Sequence, residues 1–229
     1  MRLTVIAALL LTTLAGCTDQ GLNPIVSKAF DEVNPFSTSG GGGTGGPAVT
    51  RAAIDKADVA TIRARIVSDK SPTYLFAAAN NGGYITYASG LRQLIIMRNS
   101  QVTGTRGLGY DLLSAKSSSP DPLATPMPLA QWPAHVQRSY EFPANAPRGR
   151  IETFDCRFER GAVKDMVILD QPHRGVEVSE YCDGPTGSFE QLHFADAATG
   201  YVWRSLSWTG LKQGLVDIEV VLPYTGKSD

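Results

Sequence analysis

The chain has 229 residues, 42% of them hydrophobic and 19% charged, with 21 Lys plus Arg against 22 Asp plus Glu. That length and apolar share suffice for one globular domain with appendages. The charge balance excludes the bulk positive field that would hold a nucleic-acid backbone or coat an anionic membrane.

Met1-Arg2 supplies a positive start, Leu3 to Leu14 is a short apolar run, and Leu14-Ala15-Gly16-Cys17 ends it as a lipobox. A bilayer core of about 30 Å needs roughly 20 apolar residues, so this run reads as a secretion signal rather than a membrane helix. Ala15 and Gly16 let an extended backbone enter a peptidase site, and the Cys17 thiol is the nucleophile that accepts a diacylglyceryl group. The alternative is an ordinary signal peptide with a chance cysteine. Residues 1–16 are therefore expected to be removed, leaving Cys17 as a lipidated N-terminus. Several acyl chains on one cysteine exceed the two-signal threshold for stable anchoring, each buried CH₂ contributing about 0.8 kcal/mol. An Asp directly after the lipidated Cys would favour inner-membrane retention. Thr18 stands there, with Asp19 one later, so the expected site is the outer membrane, facing the periplasm.

From 17 to 48 the chain is polar and rich in glycine, six of its 23 glycines falling in Gly40 to Gly46. A flexible segment of some thirty residues spans about 30 Å, enough to hold a domain clear of the headgroups. A short apolar stretch, Ile25 to Phe36, is expected to stay loose.

The domain expected over 49–229 opens with one or two helical turns in Thr50 to Ala57. Ala60 to Val67 then alternates, placing Ile62, Ala64 and Ile66 on one face as a half-buried strand requires. Thr73 to Ala79, Tyr84 to Ala88 and Leu91 to Arg98 follow as strands, separated by Asn80-Asn81-Gly82-Gly83 and Ser89-Gly90, which are turn signals. Seven of the 14 prolines fall between Pro120 and Pro147, a density that defeats both ladders and helix interiors. Ser117 to Pro147 is therefore expected to form a long surface crossover. Strands resume at Ile151 to Phe158, Val163 to Leu169, Val176 to Cys182, Gln191 to Ala195, Tyr201 to Trp208 and Leu215 to Leu222. Asp196 to Gly200 reads as a hairpin loop. No strand–helix–strand rhythm appears, so the expected class is all-β and antiparallel.

Setting Cys17 aside leaves Cys156 and Cys182 in a compartment where disulfides persist, and they are expected to pair. The alternative, a redox or metal pair, lacks a C-x-x-C, and His135, His173 and His193 do not sit at ligand spacing. No metal and no cofactor are expected.

Gly104-Thr105-Arg106-Gly107-Leu108-Gly109 runs in the wrong order for a dinucleotide turn and reads as a glycine-rich bend. Thr225-Gly226-Lys227-Ser228 imitates the end of a phosphate loop, yet Val221 stands where the leading glycine belongs. There is no G-x-S-x-G and no H-E-x-x-H. Carboxylate pairs for glycoside cleavage depend on three-dimensional separation and stay open. Tyr201, Trp203, Arg204 and Trp208 are the candidate glycan or partner contact, because a flat aromatic face beside an arginine grips sugars and partner proteins. The competing reading is core packing.

Glu180-Tyr181-Cys182, Phe189 and Thr199-Gly200-Tyr201-Val202-Trp203-Arg204-Ser205 with Trp208 resemble the YjbF, or group 4 capsule lipoprotein, family. Thr105, Gly107 and Leu108 match that family's threonine-glycine-leucine signature, and Asp121-Pro122-Leu123 resembles its aspartate-proline-leucine segment. The resemblance covers nearly all of the chain after the tether. It implies an antiparallel sheet curled into a half-barrel or open barrel, on an outer-membrane lipoprotein from an exopolysaccharide or capsule production locus with no known chemistry. Two departures stand out: the polyglycine tether, and Ser207 where glutamine is expected, which bears on any ligand contact there. The function that follows is a non-catalytic accessory beside an outer-membrane polysaccharide export protein. The alternative is a periplasmic polysaccharide-binding or polysaccharide-modifying protein.

Overall fold

The computed structural model describes residues 49–66, 72–145 and 149–226. Cys17 and the tether lie outside them. Helix α1 (Arg51–Ala57) starts where the Thr50 hydroxyl accepts the Ala53 N–H at 3.3 Å and stops at Asp58 in the left-handed region. A helix of seven residues is unstable alone. It is held by Ile54, which packs with Phe76, Ala88, Ile168 and Val221.

Twelve strands follow in one sheet: β1 (Thr61–Ile66), β2 (Thr73–Asn81), β3 (Tyr84–Ala88), β4 (Leu94–Arg98), β5 (Gln101–Arg106), β6 (Ser114–Ser117), β7 (His135–Phe142), β8 (Arg150–Ile168), β9 (Gln171–Gly184), β10 (Gly187–Ala195), β11 (Val202–Trp208) and β12 (Leu215–Leu222). The order is β5-β4-β3-β2-β1-β12-β11-β10-β9-β8-β7-β6, so two meanders meet where β1 pairs antiparallel with β12. The sheet is nearly closed into a barrel, which leaves few unpaired edge groups. Its seam lies between β5 and β6. There the Thr105 N–H donates to the Leu112 carbonyl at 2.9 Å, and the Leu112 N–H donates back to the Thr105 hydroxyl at 2.9 Å.

Inside the barrel, Trp208 stacks on Phe189 with centroids 4.1 Å apart, while Tyr140, Phe142 and Phe154 meet its ring edge to face. Such pairs each add about 0.5–1.5 kcal/mol beyond area burial. Cys156 and Cys182 sit opposite each other on β8 and β9 and are joined by a disulfide buried in this core.

The structure revises four segments. The proline-rich crossover is shorter than expected, because Pro133 and Pro143 bracket a strand instead of preventing one: β7 alternates, with Val136, Arg138, Tyr140 and Phe142 buried. What remains of it, 118–134, is no surface excursion. Leu123, Leu129 and Trp132 pack on Val178, Ala195 and Val202, covering the strands at that end. The glycine-rich bend is confined to 107–110, since β5 runs through Gly104, where an added Cβ would lie 3.2 Å from the Ile96 side chain and 3.5 Å from the Leu113 carbonyl oxygen. The strands expected at Ile151–Phe158 and Val163–Leu169 are one, β8, because the small step Gly161-Ala162 is a bulge across which pairing with β9 resumes in a shifted register.

Candidate functional site

Two polar assemblies are built on this sheet, one on each of its faces. The inner one centres on Arg138 of β7, which is 2% exposed. Its Nη1 and Nη2 donate to the two oxygens of Asp121 at 3.0 and 3.2 Å, and its Nε donates to Glu180 Oε1 at 2.5 Å. Glu180, 0% exposed on β9, also accepts from Gln191 Nε2 and His193 Nε2, both at 2.9 Å. Asp121 accepts from the Ser117 hydroxyl at 2.6 Å and the Leu123 N–H at 3.1 Å, which ties the crossover to the barrel interior. Gln191 completes the web by accepting the Trp208 N–H at 2.9 Å.

Burial alone would push the Glu180 carboxyl up, but the adjacent Arg138 guanidinium and the His193 hydrogen bond outweigh it and hold Glu180 below the ordinary carboxylate value. Burial opposes the charge on Arg138, and the two carboxylates overcome it, so its affinity for the proton rises. Facing an ionised carboxylate, His193 Nε2 is the donor. Its Nδ1 is buried without a hydrogen-bond partner among the described residues.

The chemistry open to this cluster is narrow. A general acid or base must come within hydrogen-bond reach of a substrate, and Glu180 and His193 are both sealed. The adjoining cavity, lined by Arg138, Tyr140, Gln191, Ser207 and Trp208 among others, is about 10 Å³, room for one water. Glu180 also lies within 4.8 Å of both cysteine sulfurs. Those sulfurs are spent on each other, so no thiolate is left to ligate a metal.

The outer assembly is a cross-strand ladder. Arg63 and Arg65 of β1 face Glu219 and Asp217 of β12, and Arg204 of β11 faces Glu219 from the other side. Arg204 grips Asp217 with Nε and Nη2 at 2.9 and 2.8 Å, Arg65 Nη2 reaches the same carboxylate at 2.9 Å, and Arg63 Nε holds Glu219 at 2.7 Å. With Ala64 and Pro72 these residues line a groove of about 290 Å³. The carboxylates are 7% and 10% exposed while the arginines are 31–39% exposed, so the acids form the floor and the guanidiniums the walls. Burial would raise the Asp217 carboxyl, but hydrogen bonds from Arg204 and Arg65 hold it down. Among the described residues, three guanidiniums over two carboxylates leave the groove a net single positive charge.

The strand expected to carry a contact face is split among three environments. Trp208 is in the interior stack. Trp203 lies against His173 at 4.1 Å and edge-on to Tyr201 at 4.7 Å, partly buried beside the α1 cluster. Burial raises the Tyr201 hydroxyl to about 12. Arg204 alone of the four lines the groove. Ser207 bonds Ser205 inside the barrel at 3.0 Å, so the departure there falls on packing. Of the histidines, His135 is on the surface 3.6 Å from Asp155, His173 is half-buried, and His193 belongs to the inner cluster.

Sequence reasoning passed over Arg138, Gln191, Arg63, Arg65, Asp217 and Glu219 as site residues. A signal existed for the last four. Charged residues alternate with Ile62, Ala64 and Ile66 on β1 and with Val216, Ile218 and Val220 on β12, and the two strands carry opposite signs.

Comparison with known proteins gives a consistent result. The protein-family model described as group 4 capsule polysaccharide lipoprotein gfcB, YjbF matches residues 30–221. Among solved structures, the crystal structure of the hypothetical lipoprotein YmcC from Escherichia coli K12 is similar, with a TM-score of 0.66 over 77% of this chain and 90% of that one. At 17% identity that likeness is one of fold. No curated protein matches.

Proposed function

The chain belongs to the group 4 capsule polysaccharide lipoprotein family, and from that premise we propose that it is a non-catalytic accessory in exopolysaccharide or capsule production and export. In this reading Cys17 anchors it to the outer membrane, and the domain faces the periplasm beside an outer-membrane polysaccharide export protein. The observation that supports the reading is the sealing of the inner cluster. The side chains most suited to acid–base chemistry, Glu180 and His193, are fully buried and hydrogen-bonded to each other, next to a cavity of about 10 Å³. They brace a barrel and are shut off from glycan.

Replacing Cys17 with Ala should release the protein from membranes and abolish acyl labelling. Continued membrane pelleting with an unmodified N-terminus contradicts the anchor. Loss of the gene should lower surface or secreted polysaccharide. Purified protein that cleaves or modifies a polysaccharide, with one carboxylate or histidine accounting for the rate, overturns the accessory reading.

A second reading, polysaccharide binding, is favoured by one observation, the outer groove. Its guanidiniums are held in place by buried carboxylates, which lowers the entropy cost of binding, and the net positive charge suits an acidic glycan. Arg204→Glu should weaken retention on an acidic polysaccharide column without lowering the melting temperature by more than a few degrees. Unchanged retention of a folded variant removes this reading.

A further inference from the structure

Three loops meet at one end of the barrel: 89–93 between β3 and β4, 107–113 between β5 and β6, and 209–214 between β11 and β12. Register places them together. Leu94 pairs with both Ala88 and Arg106, Trp208 pairs with Leu215, and Ile66 lies beside Val216. The chain enters the barrel at the other end, where α1 precedes Thr61 and Thr61 pairs with Leu222.

The loops brace one another. A Cβ on Gly107, which has a φ of +76°, would stand 3.0 Å from the Arg92 carbonyl oxygen. The Tyr110 N–H donates to Gln213 Oε1 at 3.0 Å, and Lys212 Nζ lies 5.3 Å from the Tyr110 ring centre. Asp111 is turned inward, its carboxylate accepting the Gly107 and Leu108 N–H groups at 3.0 and 3.2 Å. Each loop nevertheless presents a large apolar side chain to solvent: Leu91 is 73% exposed, Tyr110 57% and Leu211 66%. Arg92 and Lys212, with Arg106 at the end of β5, against Asp111 give these three loops a net charge of two positives, on a chain whose overall charge is −1.

We propose that this loop end is a membrane-contact site that rests Leu91, Tyr110 and Leu211 in the interface of a bilayer containing anionic phospholipid. Leucine and tyrosine beside lysine and arginine are the composition that settles at the headgroup boundary, with apolar atoms among the acyl carbons and cations at the phosphates. The charge is local, which is how an overall acidic chain is drawn to an anionic surface. Separate side chains on three braced loop tips suit a fluid, deformable surface better than a flat protein face. The biological setting rests on the anchor proposed at Cys17 and on the tether expected from the sequence. The contact itself does not depend on acylation.

The test uses the chain from residue 17 onward with Cys17→Ser, so that neither the apolar leader nor an acyl chain contributes, and vesicles of phosphatidylethanolamine with phosphatidylglycerol or of phosphatidylcholine alone. The parent should sediment with the anionic vesicles, release at high salt, and bind phosphatidylcholine weakly. The Leu91→Ser, Tyr110→Ser, Leu211→Ser variant, with its strand circular dichroism and melting temperature preserved, should partition about tenfold less. Lys212→Glu should lower binding to anionic vesicles alone. Equal partitioning of parent and folded triple variant, or no binding of the parent, overturns the proposal, and loss of an envelope-protein crosslink without any vesicle binding assigns the surface to a protein instead. Acyl labelling of Cys17 in the native protein is read separately, so failure of the loop site and failure of the anchor are distinguishable.

Discussion

Arg138 decides more of this protein than any other side chain. It lies in the proline-rich stretch where no strand was expected, so its partners were legible and it was not: Asp121 and Glu180 both fall in the family-like motifs, yet a carboxylate in a motif does not disclose its cation. The signal that could have found it is the alternation of Val136, Arg138, Tyr140 and Phe142. Removing one member of a buried ion pair leaves the others charged and unpaired, which typically costs about 3–5 kcal/mol. Arg138→Ala should therefore lose about that much in urea unfolding, and a loss under 1 kcal/mol contradicts the bracing role. Glu180 adds a pH dependence. Its folded-state affinity for the proton is depressed below the ordinary value of 4.5, so the unfolded chain binds protons first. The stabilisation is complete above that value and falls away as pH drops through the depressed folded value. Stability should decline below about pH 4.5, and Glu180→Gln, measured over the same range, should decline less steeply.

Among the elements, legibility followed the cleanliness of the local pattern. β3 and β12 have the boundaries that alternation and turn residues indicate, and the loop 196–200 follows from Asp196, whose carboxylate accepts the Ala198 and Thr199 N–H groups. β5 and β7 were hidden because glycine and proline stand inside or beside them, and those residues carry different meanings at a seam, a strand end and a turn. The Cys156–Cys182 pairing needed only the count of thiols and the compartment. Closing a loop of about 27 residues constrains the unfolded chain by about 3 to 3.5 kcal/mol, so the double Cys→Ala variant should unfold at correspondingly lower urea. A difference within error means the aromatic core alone fixes β8 against β9. The crossover has its own weak point at Gly200, which has a φ of +72° and whose added Cβ would stand 1.8 Å from the Met127 carbonyl oxygen. Gly200→Ala should detach 118–134 from the loop 196–200, seen as a lower melting temperature and new proteolytic cuts in that segment.

At the scale of the whole molecule, alternation announces that a sheet has two faces but not what covers them. Closure into a barrel depends on Thr105 and Leu112, seven residues apart across a seam, and on an interior where aromatics, a disulfide and one ion cluster fill the space. The result is a bracing interior and an exterior that carries both proposed contact sites, with the groove of Arg63, Arg65 and Arg204 on the wall and the apolar loops at one end. The most direct test is polysaccharide output in a strain lacking the gene, complemented with the chain carrying His193→Gln. A glutamine amide keeps a donor for Glu180 but has no basic ring nitrogen. If the protein is an accessory whose buried cluster only holds the barrel together, the deletion lowers surface polysaccharide, and this variant, present at normal level and folded, restores it as fully as the parent chain. A folded, membrane-bound His193→Gln protein that restores none contradicts the account and assigns the cluster to chemistry.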